Sequence, residues 1–181
     1  MKATGIVRRI DDLGRVVIPK EIRRTLHIRE GDPLEIFTNT DGEVIFKKYS
    51  SIGELTELAA QYCDVLYHTA GVPTAICDRD HVIAASGLPK RELLEQRLSG
   101  EIDAIMEKRQ PYRRKRGDDV NVLLCAGCDR TVTIAVPILT AGDITGCVVL
   151  FGDEGSAASE VDAQLKLAQA AAQFLAKQTE E

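Results

Sequence analysis

Thr4-Gly5-Ile6-Val7-Arg8-Arg9-Ile10-Asp11-Asp12-Leu13-Gly14-Arg15-Val16-Val17-Ile18-Pro19, continued by Lys20-Glu21-Ile22-Arg23-Arg24-Thr25-Leu26, is the stretch on which the fold turns. Gly5–Ile10 and Arg15–Ile18 are short β-branched runs, and Asp11-Asp12-Leu13-Gly14 between them has the composition of a turn. Pro19 stands where a helix accepts proline, at its first position, and Lys20–His27 follows with good helix formers. Ile22 and Leu26 share one face of that helix, while Lys20, Arg23, Arg24 and His27 share the other. Gly31-Asp32-Pro33 ends it, and Leu34–Thr38 and Glu43–Lys48 then alternate around Asp41-Gly42 as a hairpin. The expected order is β-β-α-β-β. A unit of about fifty residues buries little apolar surface by itself, so the segment calls for a partner chain, with strands shared between copies.

Outward from this segment the charge changes sign. Residues 1–29 hold eight Lys and Arg against three acids, a net of +5, whereas residues 51–181 hold 13 basic and 20 acidic side chains, a net of −7. The net charge of −5 for all 181 residues conceals a basic end on an acidic body, which suits nucleic acid at the N-terminus. Aromatics make up 4% with no Trp, too few for a platform that stacks single-stranded bases. No run approaches the ~18 apolar residues of a membrane helix, and Met1–Ile10 lacks the apolar core of a secretory signal. A cytoplasmic protein with no membrane partner is expected.

Two domains follow, residues 1–50 and residues 51–181, with a short linker around Tyr49–Gly53. The second begins with Ser50-Ser51 and Glu54 as a helix cap, and Ile52, Leu55, Ala59, Tyr62 and Leu66 recur at 3-4-3-4 spacing. Val161, Leu165, Ala168, Ala172 and Leu175 keep a 4-3-4-3 rhythm within Ser156–Lys177. Both stripes have the width of a helical-bundle seam, and they are assigned to pairing between chains. A dimer-forming head joined to a separately dimerising tail predicts a homotetramer. Between the stripes lie a hairpin (Pro73–Asp78, His81–Ser86), helices near Arg91–Leu98 and Ile102–Lys108, and a three-strand meander (Val120–Cys125, Thr131–Leu139, Ile144–Phe151). The class is α+β, an antiparallel sheet with helices on one side.

The N-terminal block closely resembles the AbrB-like swapped-hairpin transcription regulators of Gram-positive bacteria, over essentially all of residues 1–49. Val136-Pro137-Ile138, Gly142 and Gly146, with the helix–sheet order, carry a further resemblance to the family members whose C-terminal part is a GAF-type sensor domain. The resemblance implies an intertwined, β-rich dimer that binds double-stranded DNA through Arg8, Arg15, Arg23 and Arg24, with Arg9 and Lys2 as helpers. It also implies action in the forespore, activating and repressing sporulation genes, and reading of DNA deformability more than a strict consensus. The chemistry agrees, since guanidinium groups make bidentate bonds to phosphates and guanine edges.

The other chemistry-bearing residues have plainer readings. Cys125-Ala126-Gly127-Cys128 lacks the second ligand pair of a zinc site, because His27, His68 and His81 are scattered; it reads as a turn with two ordinary thiols. Arg113-Arg114-Lys115-Arg116 reads as an exposed loop, and Asp78, Asp80, Asp118 and Asp119 as turn aspartates. No catalytic order of residues or phosphate loop is present, so neither an enzyme nor a cofactor is expected. A small molecule bound by the C-terminal domain is a possible partner of unknown identity. Two alternatives stay open: an antitoxin-type DNA-binding module, and a redox sensor centred on Cys125 and Cys128.

Overall fold

Gly14 takes a left-handed φ of +76°, and its N–H donates to the Asp11 carbonyl at 3.0 Å, closing the first turn where its composition places it. The computed structural model describes residues 6–26, 28–50, 52, 55–115, 121–152 and 157–180, which divide into two units, Met1–Tyr49 and Ser50–Glu181.

In the first unit, α1 (Lys20–Leu26) starts directly after Pro19, whose carbonyl accepts from the Arg23 N–H at 2.9 Å. The strands β1 (Leu34–Thr38) and β2 (Val44–Lys48) pair antiparallel, Ile36 opposite Phe46. Their turn is held by Asn39, whose Oδ1 accepts from the N–H groups of Asp41 and Glu43, while Gly42 supplies a φ of +80°. The strands expected at Gly5–Ile10 and Arg15–Ile18 do not form: residues 6–10 and 15–18 make no ladder within the chain. A strand exists only through the bonds it makes to a neighbour, and one copy supplies none here. Pro19 is the single buried residue among the described residues of this unit.

The second unit is a five-stranded antiparallel sheet of order β4-β3-β7-β6-β5, formed by β3 (Thr74–Asp78), β4 (Val82–Ser86), β5 (Tyr112–Arg113), β6 (Ile134–Thr140) and β7 (Asp143–Leu150). Alternation along the strands sends Ile76, Ile134, Val136, Val148 and Leu150 into one core and Ala75, Cys77, Ala135, Cys147 and Val149 into another. The first core is roofed by α2 (Thr56–Ala70) and α5 (Ala158–Gln178), the second by α4 (Gly100–Glu107) and the buried side chains of residues 122–132. The sheet is therefore covered on both faces, which corrects the expectation of helices on one side only.

Three local expectations are also corrected. The helix expected over Arg91–Leu98 stops after one turn, α3 (Lys90–Leu93). Glu95 turns at φ 63°, its N–H donates to the Val82 carbonyl at 2.9 Å, and Val82 N–H donates to Gln96 at 3.0 Å, so this segment shields the β4 edge instead. The meander's first strand is absent, for residues 121–125 make only isolated bridges, Leu98 with Cys125 and Leu123 with Thr131. Its place beside β6 goes to Tyr112–Arg113, so part of the basic cluster is an edge strand rather than a loop. Arg113 pairs with Asp162 of α5, and Arg114 donates to the Asn121 side chain at 3.0 Å. The cap at Ser51 and Glu54, along with Ser156, Arg116, Asp118 and Asp119, lies outside the described residues. Among the described residues no helix is long and apolar enough to cross a membrane.

Candidate nucleic-acid interface

The head presents its basic side chains from three pieces of backbone. Arg8 and Arg9 are exposed on the extended segment before the turn, Arg15 is exposed just after it, and Arg24 is exposed on α1. Arg23, also in the last turn of α1, is half-buried. Lys2 lies outside the described residues.

Bonds define the posture of Arg15. Asp11 Oδ2 accepts from its Nε at 2.8 Å, and Asp11 Oδ1 accepts from the backbone N–H groups of Arg15 at 2.7 Å and Leu13 at 3.0 Å. The Asp11 N–H in turn donates to the Arg15 carbonyl at 3.0 Å. These bonds, chiefly the Arg15 backbone N–H and then its side chain, hold the Asp11 carboxyl below its ordinary range. The sequence placed Asp11 in the turn and counted its charge against the basic residues, without pairing it with Arg15. The signal it missed is the four-residue interval from acid to arginine across a glycine turn.

The same unit exposes an unusual amount of apolar side chain. Val7 is 89% accessible, Ile10 and Val17 are each 69%, and Ile36 is 64%. These β-branched side chains face solvent rather than a core of the unit's own.

The residues assigned to pairing between chains occupy a different place. Ile52, Ala59, Leu66, Ala168, Ala172 and Leu175 are buried within the chain's own first core, and Tyr62, Val161 and Leu165 pack against it; Leu55 is half-buried at the start of α2. The stripes therefore bind α2 and α5 to the sheet. The outward apolar side chains of these helices are Val65, 60% exposed, and Phe174, 39% exposed. Phe174 stacks on Tyr62.

All five cysteines are free and buried. Burial raises the Cys63 and Cys147 thiols to about 12 and pushes Cys77 well above its ordinary value. Cys125 is also raised, by burial and then by the neighbouring Cys128. A raised thiol carries little thiolate at neutral pH, the reverse of a reactive cysteine. Asp78 Oδ1 accepts from the N–H groups of Asp80 at 2.7 Å and His81 at 2.6 Å, a turn role. Among the described residues no three His, Cys, Asp or Glu side chains gather as a metal set.

Comparison with known proteins decides the family. Residues 54–180 match the model of the stage V sporulation protein T C-terminal domain, a transcription factor, and residues 7–53 match that of MazE, the bacterial antidote-toxin recognition antitoxin. Across all 181 residues the chain is 48% identical to stage V sporulation protein T of Bacillus subtilis (strain 168), covering 100% of both. The chain belongs to the stage V sporulation protein T family. Its head is also 63% identical over 49 residues to the transition state regulatory protein AbrB of the same organism, 27% of this chain and 50% of that protein. As a member of the stage V sporulation protein T family it pairs this AbrB-like head with a GAF-fold body. The GAF domain of a phosphoenolpyruvate-protein phosphotransferase from Coxiella burnetii superposes with a TM-score of 0.55 at 15% identity, over 68% of this chain and 81% of that one.

Proposed function

We propose that this chain is a DNA-binding transcription regulator, activating and repressing sporulation genes, that grips duplex DNA with an intertwined pair of N-terminal units. Arg8, Arg15, Arg23 and Arg24 carry the contact, with Arg9 and Lys2 beside them. The observation that carries the reading is the head itself, a net +5 over residues 1–29 on a unit whose described residues bury only Pro19. Half a domain core is exposed next to a set of guanidinium groups, so the surface that needs a second copy and the surface that attracts phosphate belong to one small unit. The body joins dimers into a homotetramer through the outward faces of α2 and α5, and a small ligand bound by the C-terminal domain biases that assembly.

The test is fluorescence anisotropy of the full chain on duplex DNA, together with its mass in solution. Arg15→Ala with Arg23→Ala should lower retention at least tenfold with the mass unchanged. Undiminished retention, or a monomeric wild-type chain, would remove the reading.

The match of residues 7–53 to an antitoxin supports a second reading, a toxin antidote. Antidotes of that kind need a flexible tail to wrap the toxin, whereas Ser50–Glu181 has cores on both faces of its sheet. Limited proteolysis tests this: a stable fragment spanning residues 51–181 speaks for the regulator, and its rapid digestion for the antidote.

A further inference from the structure

We infer that Asp11 is a positioning residue for DNA recognition, its carboxylate clasping Arg15 by Nε so that Nη1 and Nη2 face the duplex together. The inference rests on the DNA-binding reading above and adds a residue to it.

An aspartate on a surface that meets a polyanion is a liability, since it repels phosphate and cancels a neighbouring arginine. Asp11 is nevertheless bonded so that both oxygens are spent on its own loop. Oδ1 accepts the N–H groups of Leu13 and Arg15, at 3.0 and 2.7 Å, and Oδ2 accepts Arg15 Nε at 2.8 Å. The backbone adds Asp11 N–H to the Arg15 carbonyl and Gly14 N–H to the Asp11 carbonyl, both 3.0 Å, with Gly14 at φ +76°. Five bonds thus close one short loop, and the arginine at its exit is tied at the root of its guanidinium.

The choice of Nε matters. A guanidinium has five N–H donors in a rigid plane; a carboxylate on Nε occupies one and leaves the four on Nη1 and Nη2. That end matches the paired acceptors of a phosphate or of guanine O6 and N7. The Arg15 side chain is 69% accessible while so tied, so it is both ordered and open. A long side chain ordered before contact loses less rotamer freedom on binding. The rival account is an ordinary exposed ion pair, which contributes little and is released when phosphate arrives. The two accounts differ in sign.

The experiment uses the full chain and four proteins: wild type, Asp11→Asn, Arg15→Ala and the double variant. Asparagine keeps Oδ1 for the two backbone N–H groups, so the loop stays closed. Its amide NH2, standing where Oδ2 was, cannot accept from Nε. Solution mass confirms that each variant assembles like wild type. Removing a negative charge should strengthen binding on electrostatics alone; the clasp predicts that Asp11→Asn weakens it, by about tenfold for a dimer carrying two copies. On the Arg15→Ala background the same change should be neutral or slightly favourable. Tighter binding by Asp11→Asn with Arg15 present overturns the clasp, as does an equal loss on both backgrounds, which would mark a loop-structure effect. Failure of the DNA reading looks different: wild type does not bind, or Arg15→Ala binds as wild type does, and the clasp then falls with it.

Discussion

Tyr62 on α2 and Phe174 on α5 stack with ring centroids 5.0 Å apart and planes 15° from parallel, tying the two helices to each other. Phe174 is 39% exposed, so on the proposed tetramer reading the stack is an apolar edge for a second copy to cover. Phe174→Ala should cost the body about 1 kcal/mol through loss of the aromatic pair. Phe174→Asp should convert a tetramer into dimers, because an uncovered carboxylate is tolerated in solution and not under a packed helix. Light scattering after size exclusion checks it; an unchanged mass places the tetramer contact elsewhere.

Salt should report how many arginines meet phosphate. If a dimer places about eight on the backbone, log K against log salt falls with a slope near −7. Removing Arg8 from both chains should shallow the slope by about 2, and removing an arginine that reads bases should lower affinity with less change in slope. Anisotropy titrations over several salt concentrations make the distinction.

Gly146 sits in β7 opposite Asp78 of β3, and a Cβ there would lie 2.1 Å from the Cys77 carbonyl oxygen. The obstacle is backbone in the middle of the sheet, which cannot rotate aside. Gly146→Ala should therefore destabilise the body by about 3 kcal/mol, read by urea denaturation. By contrast, a Cβ at Gly100 meets nothing within 4 Å, so Gly100→Ala should leave the midpoint nearly unchanged.

The buried thiols give the body an alkaline limit. Cys63 and Cys147 are held at about 12 by burial, whereas an unfolded cysteine ionises at about 8.5. Their folded values are raised, so the stability they contribute is complete below about pH 8.5 and declines as pH rises toward the folded value. Each thiol should remove about 2 kcal/mol between pH 8.5 and 10, and Cys147→Ala should flatten the decline by one thiol's share. Thermal melts across that range measure it. At pH 8 a thiol reagent should reach Cys63, Cys77 and Cys147 only after denaturation.

Much of this was legible in the residues alone. The Asp11–Gly14 turn, the Pro19-led helix, the Asp41-Gly42 hairpin and the hairpin of Pro73–Asp78 with His81–Ser86 depend on local backbone preferences, which a sequence states directly. The arginine set and the reversal of charge near residue 50 are likewise properties of the chain as written. Tertiary contact decided the rest. Residues 94–98 abandoned a helical pattern because the free edge of β4 offered their backbone better bonds. Tyr112–Arg113 displaced residues 121–125 from the sheet for want of any local rule choosing between them. The stripes of α2 and α5 have a period that shows an apolar face but not what covers it, and here the covering surface is the chain's own sheet. Asp11 makes the same point at the scale of one side chain: its charge was visible in the sequence, while its hold on Arg15 exists only once the turn has brought them together.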